Sequence, residues 1–130
     1  MNSIIPYIAF PGTCKEAMEF YADTLNGRIT TMQSFAEAPM EVPEQIQDRI
    51  FNSELKAGSI TIKASDDLPT HPVTQGSNMS LYVVFPNAEM KTEVFNKLSE
   101  GGQVLFPISD NFGMLKDKFG IQWMVVHHED

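Results

Sequence analysis

PYIAFP, Pro6 to Pro11, returns as LYVVFP, Leu81 to Pro86, at an offset of 75 residues. Held constant, that offset sets Tyr7 on Tyr82, Phe10 on Phe85, Pro11 on Pro86, Phe20 on Phe95 and Gly27 on Gly102. Ile8 and Ile29 fall on Val83 and Val104. The matches sit at apolar and chain-turning positions and need no gap, as expected of a duplicated structural unit.

Each copy opens on a short β-branched and aromatic run, residues 4–10 and 79–85, which predicts a strand. Pro6 stands near the start of the first run, where an edge strand tolerates a missing donor. TCKEAMEFYADTLNG follows, with Ala17, Phe20, Tyr21 and Leu25 at helical spacing. Thr13 and Glu16 have the spacing of a capping box, and Asn26-Gly27 supplies a stop. Helices are therefore expected over Cys14 to Asn26 and, in the second copy, over Ala88 to Glu100 before Gly101-Gly102. Strands Arg28 to Met32 and Gln103 to Phe106 come next. Glu54 to Ser65 then reads as two strands about a turn at Lys56 to Ser59, and Met114 to His128 as two about Asp117 to Gly120. Here an offset of 62 sets Lys56 on Lys118, Gly58 on Gly120 and Ile62 on Met124. The drop from 75 to 62 assigns 13 extra residues to the Pro- and Glu-rich stretch Ser34 to Asp48. That stretch is expected to be a mobile lid, since compact domains rarely keep long loops without a use.

Each half thus reads β-α-β-β-β. A helix covers one face of a four-stranded sheet and leaves the other face unfinished, so the unit is doubled. The fold class is α+β, a single domain over residues 1–130 built of two βαβββ modules, about 1–70 and 76–130, with a cleft between curved mixed sheets. One domain of this length can bury a sufficient core.

Composition narrows the function. The chain carries 17 acidic and 9 scattered basic residues, a net charge of −8, which excludes a nucleic-acid binder and mildly favours a cationic ligand. No run approaches the roughly 20 apolar residues of a membrane span, and no secretory leader is evident. Cys14 stands alone, so no intramolecular disulfide forms, and the reducing cytoplasm is the expected compartment.

The doubled βαβββ plan resembles the vicinal-oxygen-chelate superfamily of glyoxalase I, extradiol dioxygenases and bleomycin-resistance proteins, and within it the PhnB-like branch. The resemblance spans the whole chain. It is carried by PYIAF with Cys14, Glu16, Ala17, Phe20 and Tyr21 on the helix after it, by KASDD (Lys63 to Asp67), by FNKLSEGGQV and by FGMLKDKFGIQWMV. It implies the fold and a small-molecule site. Reaction does not follow, because one fold hosts many chemistries.

Metal-using members of the superfamily take one His, Gln or Glu ligand from the start of each module's first strand and one from its last strand. The resemblance and the offsets put these slots at Pro6, Ile62, Leu81 and Met124. None offers a nitrogen or carboxylate donor, so no metal is expected. No glycine-rich phosphate loop, nucleophile elbow or dinucleotide fingerprint is present either, and no cofactor is assigned. Related sequences are sometimes labelled methyltransferases; the glycine-rich strand–turn–helix that would hold such a cofactor is missing. His127 and His128 read as a polar tail whose side chains alternate. His71 reads as a loop residue that could join Asp66 or Asp67 at a second-choice site. Cys14, at a helix start, reads as a packing residue rather than an activated thiol.

Strand alternation puts Pro6, Ile8 and Leu81, Val83 on one set of faces and Tyr7, Tyr82 and Trp123 on the other. If the former face the cleft, the cleft is lined by Pro6, Ile8, Phe10, Ile62, Leu81, Val83, Gln122 and Met124, with Phe112. A mostly apolar cleft suits a small organic ligand. The reading is a small-molecule-binding homodimer lacking the usual metal ligands, its ligand cationic or aromatic, with residues 4–10 as an edge seam. The alternative is a lyase, isomerase or dioxygenase that uses non-standard site residues such as Glu54, Asp66 or Asp110.

Overall fold

The computed structural model describes residues 2–128, and the chain divides into two compact units after Val73. The first holds β1 (Tyr7–Phe10), α1 (Cys14–Thr24), β2 (Arg28–Ser34), β3 (Ile50–Ala57) and β4 (Ile60–Asp66). The second holds β5 (Leu81–Phe85), α2 (Ala88–Ser99), β6 (Gln103–Phe106), β7 (Gly113–Lys116) and β8 (Gln122–His127). Both sheets are four-stranded and mixed, in the orders β1-β4-β3-β2 and β5-β8-β7-β6. In each, the first and last strands pair in parallel, which leaves β1 and β5 as edges.

The register proves the duplication and corrects one detail of it. Tyr7 pairs with Lys63 and Tyr82 with Met124; Ile8 pairs with Ala64 and Val83 with Val125. Lys63, not Ile62, is therefore the counterpart of Met124, an offset of 61. Leu55 pairs with Ile62 as Leu115 does with Trp123, so β3 maps on β7 at an offset of 60. The cause is the hairpin. The paired Lys56 and Thr61 enclose four residues, Ala57 to Ile60, whereas their counterparts Lys116 and Gln122 enclose five, Asp117 to Ile121. The second hairpin is thus one residue longer, and an offset carried through its turn glycine sets every later residue on a partner of the opposite face.

Glycines fix the same correspondence from the other side. A Cβ on Gly27 would collide with the Lys56 carbonyl, and one on Gly102 with the Lys116 carbonyl, so both helix exits pass directly over β3 or β7.

Helix α1 ends as expected, with Asn26 at φ 55° and the Gly27 amide on the Ala22 carbonyl. Its start differs from the expected capping box. The Thr13 side chain makes no cap bond; Asp66 Oδ1, at the end of β4, accepts the Cys14 amide at 2.8 Å. Helix α2 uses its own Asn87, whose Oδ1 accepts from the Met90 amide at 2.9 Å.

Each core lies between helix and sheet. In the first unit Phe10, Leu55, Ile62 and Ala64 pack with Cys14, Ala17, Met18 and Tyr21, all buried. In the second Val83, Phe85, Leu115, Trp123 and Val125 pack with Val94, Phe95 and Leu98. Trp123 Nε1 donates to Asp117 Oδ2 at 2.8 Å, so its indole is buried without losing its hydrogen bond. Among the described residues, no helix is long and apolar enough to cross a membrane.

Candidate functional site: an aromatic pocket on the first sheet

The helix-covered face of the first sheet is marked by contacts to α1. Phe10 lies 6.4 Å from Tyr21 between ring centroids, Ser53 Oγ is 3.5 Å from Cys14 Sγ, and Asp66 caps the helix. By register Ile8 and Ile62 share that face. In the second sheet, the Gly113 Cα faces Phe95 of α2, and Leu81 and Val83 follow it through the Trp123 and Val125 pairings. The expected facing of Ile8, Phe10, Ile62, Leu81 and Val83 is thus reversed: Phe10, Ile62 and Val83 are buried core, and Ile8 and Leu81 lie half-buried on the same helix side. Branched aliphatics and phenylalanine fill the space under the helices, and the tyrosines keep their hydroxyls in water. Tyr7 is 57% exposed and Tyr82 62%.

The remaining candidates distribute as follows. Pro6 precedes β1, and its carbonyl accepts the Lys63 amide. Met124 lies on the open face of the second sheet beside Tyr82. Gln122 shares that face, but its Nε2 donates to the carbonyls of Ser77 and Met79 and to Ser80 Oγ, which makes it a tie for the chain leading into β5. Phe112 stacks in tilted contact with Phe106 at 5.7 Å.

The open face of the first sheet carries a pocket of about 400 Å³. Its floor is Tyr7 and Ala9 of β1 with Ser65 of β4, side by side in the parallel ladder. Phe51, at the start of β3, and Phe35 form one wall, their rings 5.6 Å apart and edge to face. Met40 extends that wall, and Leu68, His71, Asp66 and Asp67 complete the rim. Phe35 and Met40 belong to the segment expected to be a lid. Its base is ordered: the Phe35 amide bonds the Arg49 carbonyl and the Ala36 amide the Gln47 carbonyl, with short 3-10 turns at Phe35–Glu37 and Glu44–Ile46.

The acidic rim is held from behind. Asp67 Oδ1 accepts from Arg49 Nη1 at 2.6 Å, and its Oδ2 accepts the Val73 amide at 3.0 Å, which pins the segment bearing Leu68 and His71. The Arg49 guanidinium rests over Gly12, where a Cβ would meet it at 3.4 Å. Asp66 receives the Cys14 and Ile50 amides, one on each oxygen, and makes no ion pair among the described residues. Further along the open face Glu54 accepts from Thr30 Oγ1 at 2.8 Å and stands 3.8 Å from Lys63 Nζ. The Thr30 hydrogen bond, then the neighbouring lysines, hold the Glu54 carboxyl below its ordinary range. Cys14 is the reverse case: burial pushes its thiol up from 9.0 to about 11, so it is a protonated core group.

The superfamily's divalent ion does not fit these residues. With the register corrected, the open-face positions that pair at the start of β1 and β5 are Tyr7 with Lys63 and Tyr82 with Met124, an ammonium and a thioether where ligands would stand. Asp66, Asp67 and His71 share the pocket rim, but the carboxylates are engaged. No group of three or more His, Cys, Asp or Glu converges among the described residues.

Two mixed four-stranded sheets, each backed by one helix in β-α-β-β-β order, define the vicinal-oxygen-chelate class. The likeness extends to the fosfomycin resistance protein FosX of Listeria monocytogenes, whose crystals hold Mn(II) and a dihydroxypropylphosphonic acid; at 7% identity over 97% of this chain and 92% of that one, TM-score 0.67, it concerns the fold alone. Within the class the chain belongs to the family described as 3-demethylubiquinone-9 3-methyltransferase, the PhnB-like branch, whose model matches residues 2–126. Protein PA1353 of Pseudomonas aeruginosa is 32% identical over the whole of both chains, with a TM-score of 0.92. A Bacillus cereus PhnB protein, titled a putative methyltransferase of that kind, is 25% identical over 98% of this chain and all of its own, with a TM-score of 0.81. Protein YjdN of Escherichia coli K12 is 24% identical over 92% of this chain and 91% of its own.

The pocket was not foreseen from sequence. The signal that could have found it was present: Tyr7, Ala9 and Ser65 alternate with apolar neighbours, and an alternating strand buries its β-branched side.

Proposed function

We propose that this chain is a small-molecule-binding protein of the glyoxalase and bleomycin-resistance type, and that its ligand sits in the pocket over Tyr7, Ala9 and Ser65. The observation that carries the reading is the pocket's make-up: three aromatic rings, a thioether and a leucine around a limited set of polar groups, at a volume suited to a small organic molecule. Aromatic or cationic molecules match such a lining. No catalytic role is assigned: each oxygen of Asp66 and of Asp67 already accepts a hydrogen bond, Glu54 lies outside the pocket, and the rim's base, His71, has its Nδ1 3.0 Å from Thr70 Oγ1. The methyl transfer in the family's description is not assigned either. The amide at the start of α1, the place where a bound cofactor's anionic group could be held, is occupied by the chain's own Asp66.

We further propose a cytoplasmic homodimer. Tyr82, Val84 and Phe106 on the open face of the second sheet are 62%, 44% and 54% exposed, and β1 and β5 are edges, so an apolar surface and free strand edges are available to a second copy. Light scattering should give twice the chain mass at micromolar concentration; a strict monomer contradicts the dimer.

A thermal-shift screen of small aromatic and cationic compounds tests the binding function. Ligands of the native state raise the melting temperature. Hits should lose their effect in Tyr7→Ala and Phe51→Ala, and hits indifferent to both substitutions would sink the assignment.

A further inference from the structure

We infer that the pocket of the first unit takes an organic cation, a methylated ammonium in particular; this rests on the pocket being the ligand site. Three rings, Tyr7, Phe35 and Phe51, border one space. The face of an aromatic ring carries negative electrostatic potential, and rings set around one volume offer it to a cation from several sides. Phe35 and Phe51 meet edge to face at 5.6 Å; Phe35 is 4% exposed and backs Phe51, so Tyr7, 57% exposed, and Phe51 present the more open ring surface.

Charge points the same way. The lining contains Asp66, Asp67 and His71 and neither lysine nor arginine. Arg49 neutralises Asp67 from behind the rim, at 2.6 Å. The Asp66 carboxylate is 5% exposed and turned to the α1 side of the sheet, where its partners are two neutral backbone amides, so its uncancelled charge acts on the pocket as a field from beneath the sheet. An anionic ligand would meet ring faces and two acidic residues, with only His71 and the Tyr7 and Ser65 hydroxyls to pair with. A neutral ligand would gain contact area alone. A methylated ammonium suits both features: its charge is spread over methyl groups that pack on rings, and it needs no hydrogen-bond acceptor, while both acidic side chains have theirs occupied. The thioether of Met40 adds a polarizable contact on the same wall.

The test compares choline with 3,3-dimethylbutan-1-ol, its uncharged carbon analogue, and with benzyl alcohol, a neutral aromatic, by NMR titration of the full chain. Choline should perturb Tyr7, Ser65 and Leu68 and bind about tenfold more tightly than the analogue of the same shape. Tyr7→Leu, at a mostly exposed position that the fold does not need, should weaken choline binding by about fivefold or more with circular dichroism unchanged. Equal affinity for choline and its analogue, or benzyl alcohol in the pocket with choline absent from it, overturns the cation while the pocket stands as the ligand site. No perturbation of the pocket by any of the three overturns both.

Discussion

Asp66 does in one residue what the sequence divides between others. Its two oxygens hold the first amide of α1 and the Ile50 amide that opens β3, so a single carboxylate joins helix, strand and pocket rim. Its removal leaves two buried amides without partners. Asp66→Ala should lower stability by about 2–4 kcal/mol, read from urea denaturation, because each unsatisfied buried group costs about 1–3 kcal/mol. A loss below the noise would mean that Thr13 takes over the cap. Cys14, its neighbour in the core, gives a pH prediction. The folded thiol is raised to about 11 from 9.0, so the folded state favours the proton. Its contribution is present in full below pH 9.0 and is lost as pH rises to about 11. Against Cys14→Ala, which cannot titrate, the wild-type chain should lose about 2–3 kcal/mol of relative stability across that window, at about 1.4 kcal/mol per pH unit. Parallel curves for the two proteins would contradict the account.

Among the elements, the segment between β2 and β3 is the one that the second unit lacks, and it supplies Phe35 and Met40 to the pocket. Deleting Ala38 to Gln45 spares the paired base at Phe35–Arg49 and Ala36–Gln47 and the buried Ile46. The fold should survive with an unchanged circular dichroism spectrum, and affinity for a pocket ligand should fall about three- to tenfold with the loss of the Met40 thioether from the wall. Unchanged affinity would make the segment a passive insertion. The same elements show what can be read from sequence. Duplication, helices and strand order follow from PYIAFP and LYVVFP and from the helix stops, because those signals are local. The facing of the strands does not. Matching Ile62 to Met124 through Gly58 and Gly120, glycines in turns of unequal length, is a single-residue slip that puts a core residue on the open face. Taking Pro6 as a ligand slot brings Ile8 and Phe10 with it, although tyrosine at 7 and 82 is the better sign of the wet side. The pocket depends on Phe35, Phe51 and His71, which long-range register brings together and no spacing reveals.

For the molecule as a whole, the chain keeps the vicinal-oxygen-chelate fold, and on the open faces Lys63 stands opposite Tyr7 and Met124 opposite Tyr82, neither an ordinary donor for a divalent ion. Protein purified without chelator should contain well under one equivalent of zinc, nickel, manganese or iron by elemental analysis, since stripping an ion of water without replacement donors is too costly. A stoichiometric ion would refute the donor argument. The central claim is narrower: ligands bind on the open face of the first sheet, over Tyr7. Its most direct test is an NMR map of chemical-shift changes with the strongest hit of the thermal-shift screen. The account predicts changes centred on Tyr7, Ala9, Phe51, Ser65 and Leu68, abolished by Phe51→Ala; changes centred elsewhere, with these five residues silent, would contradict it.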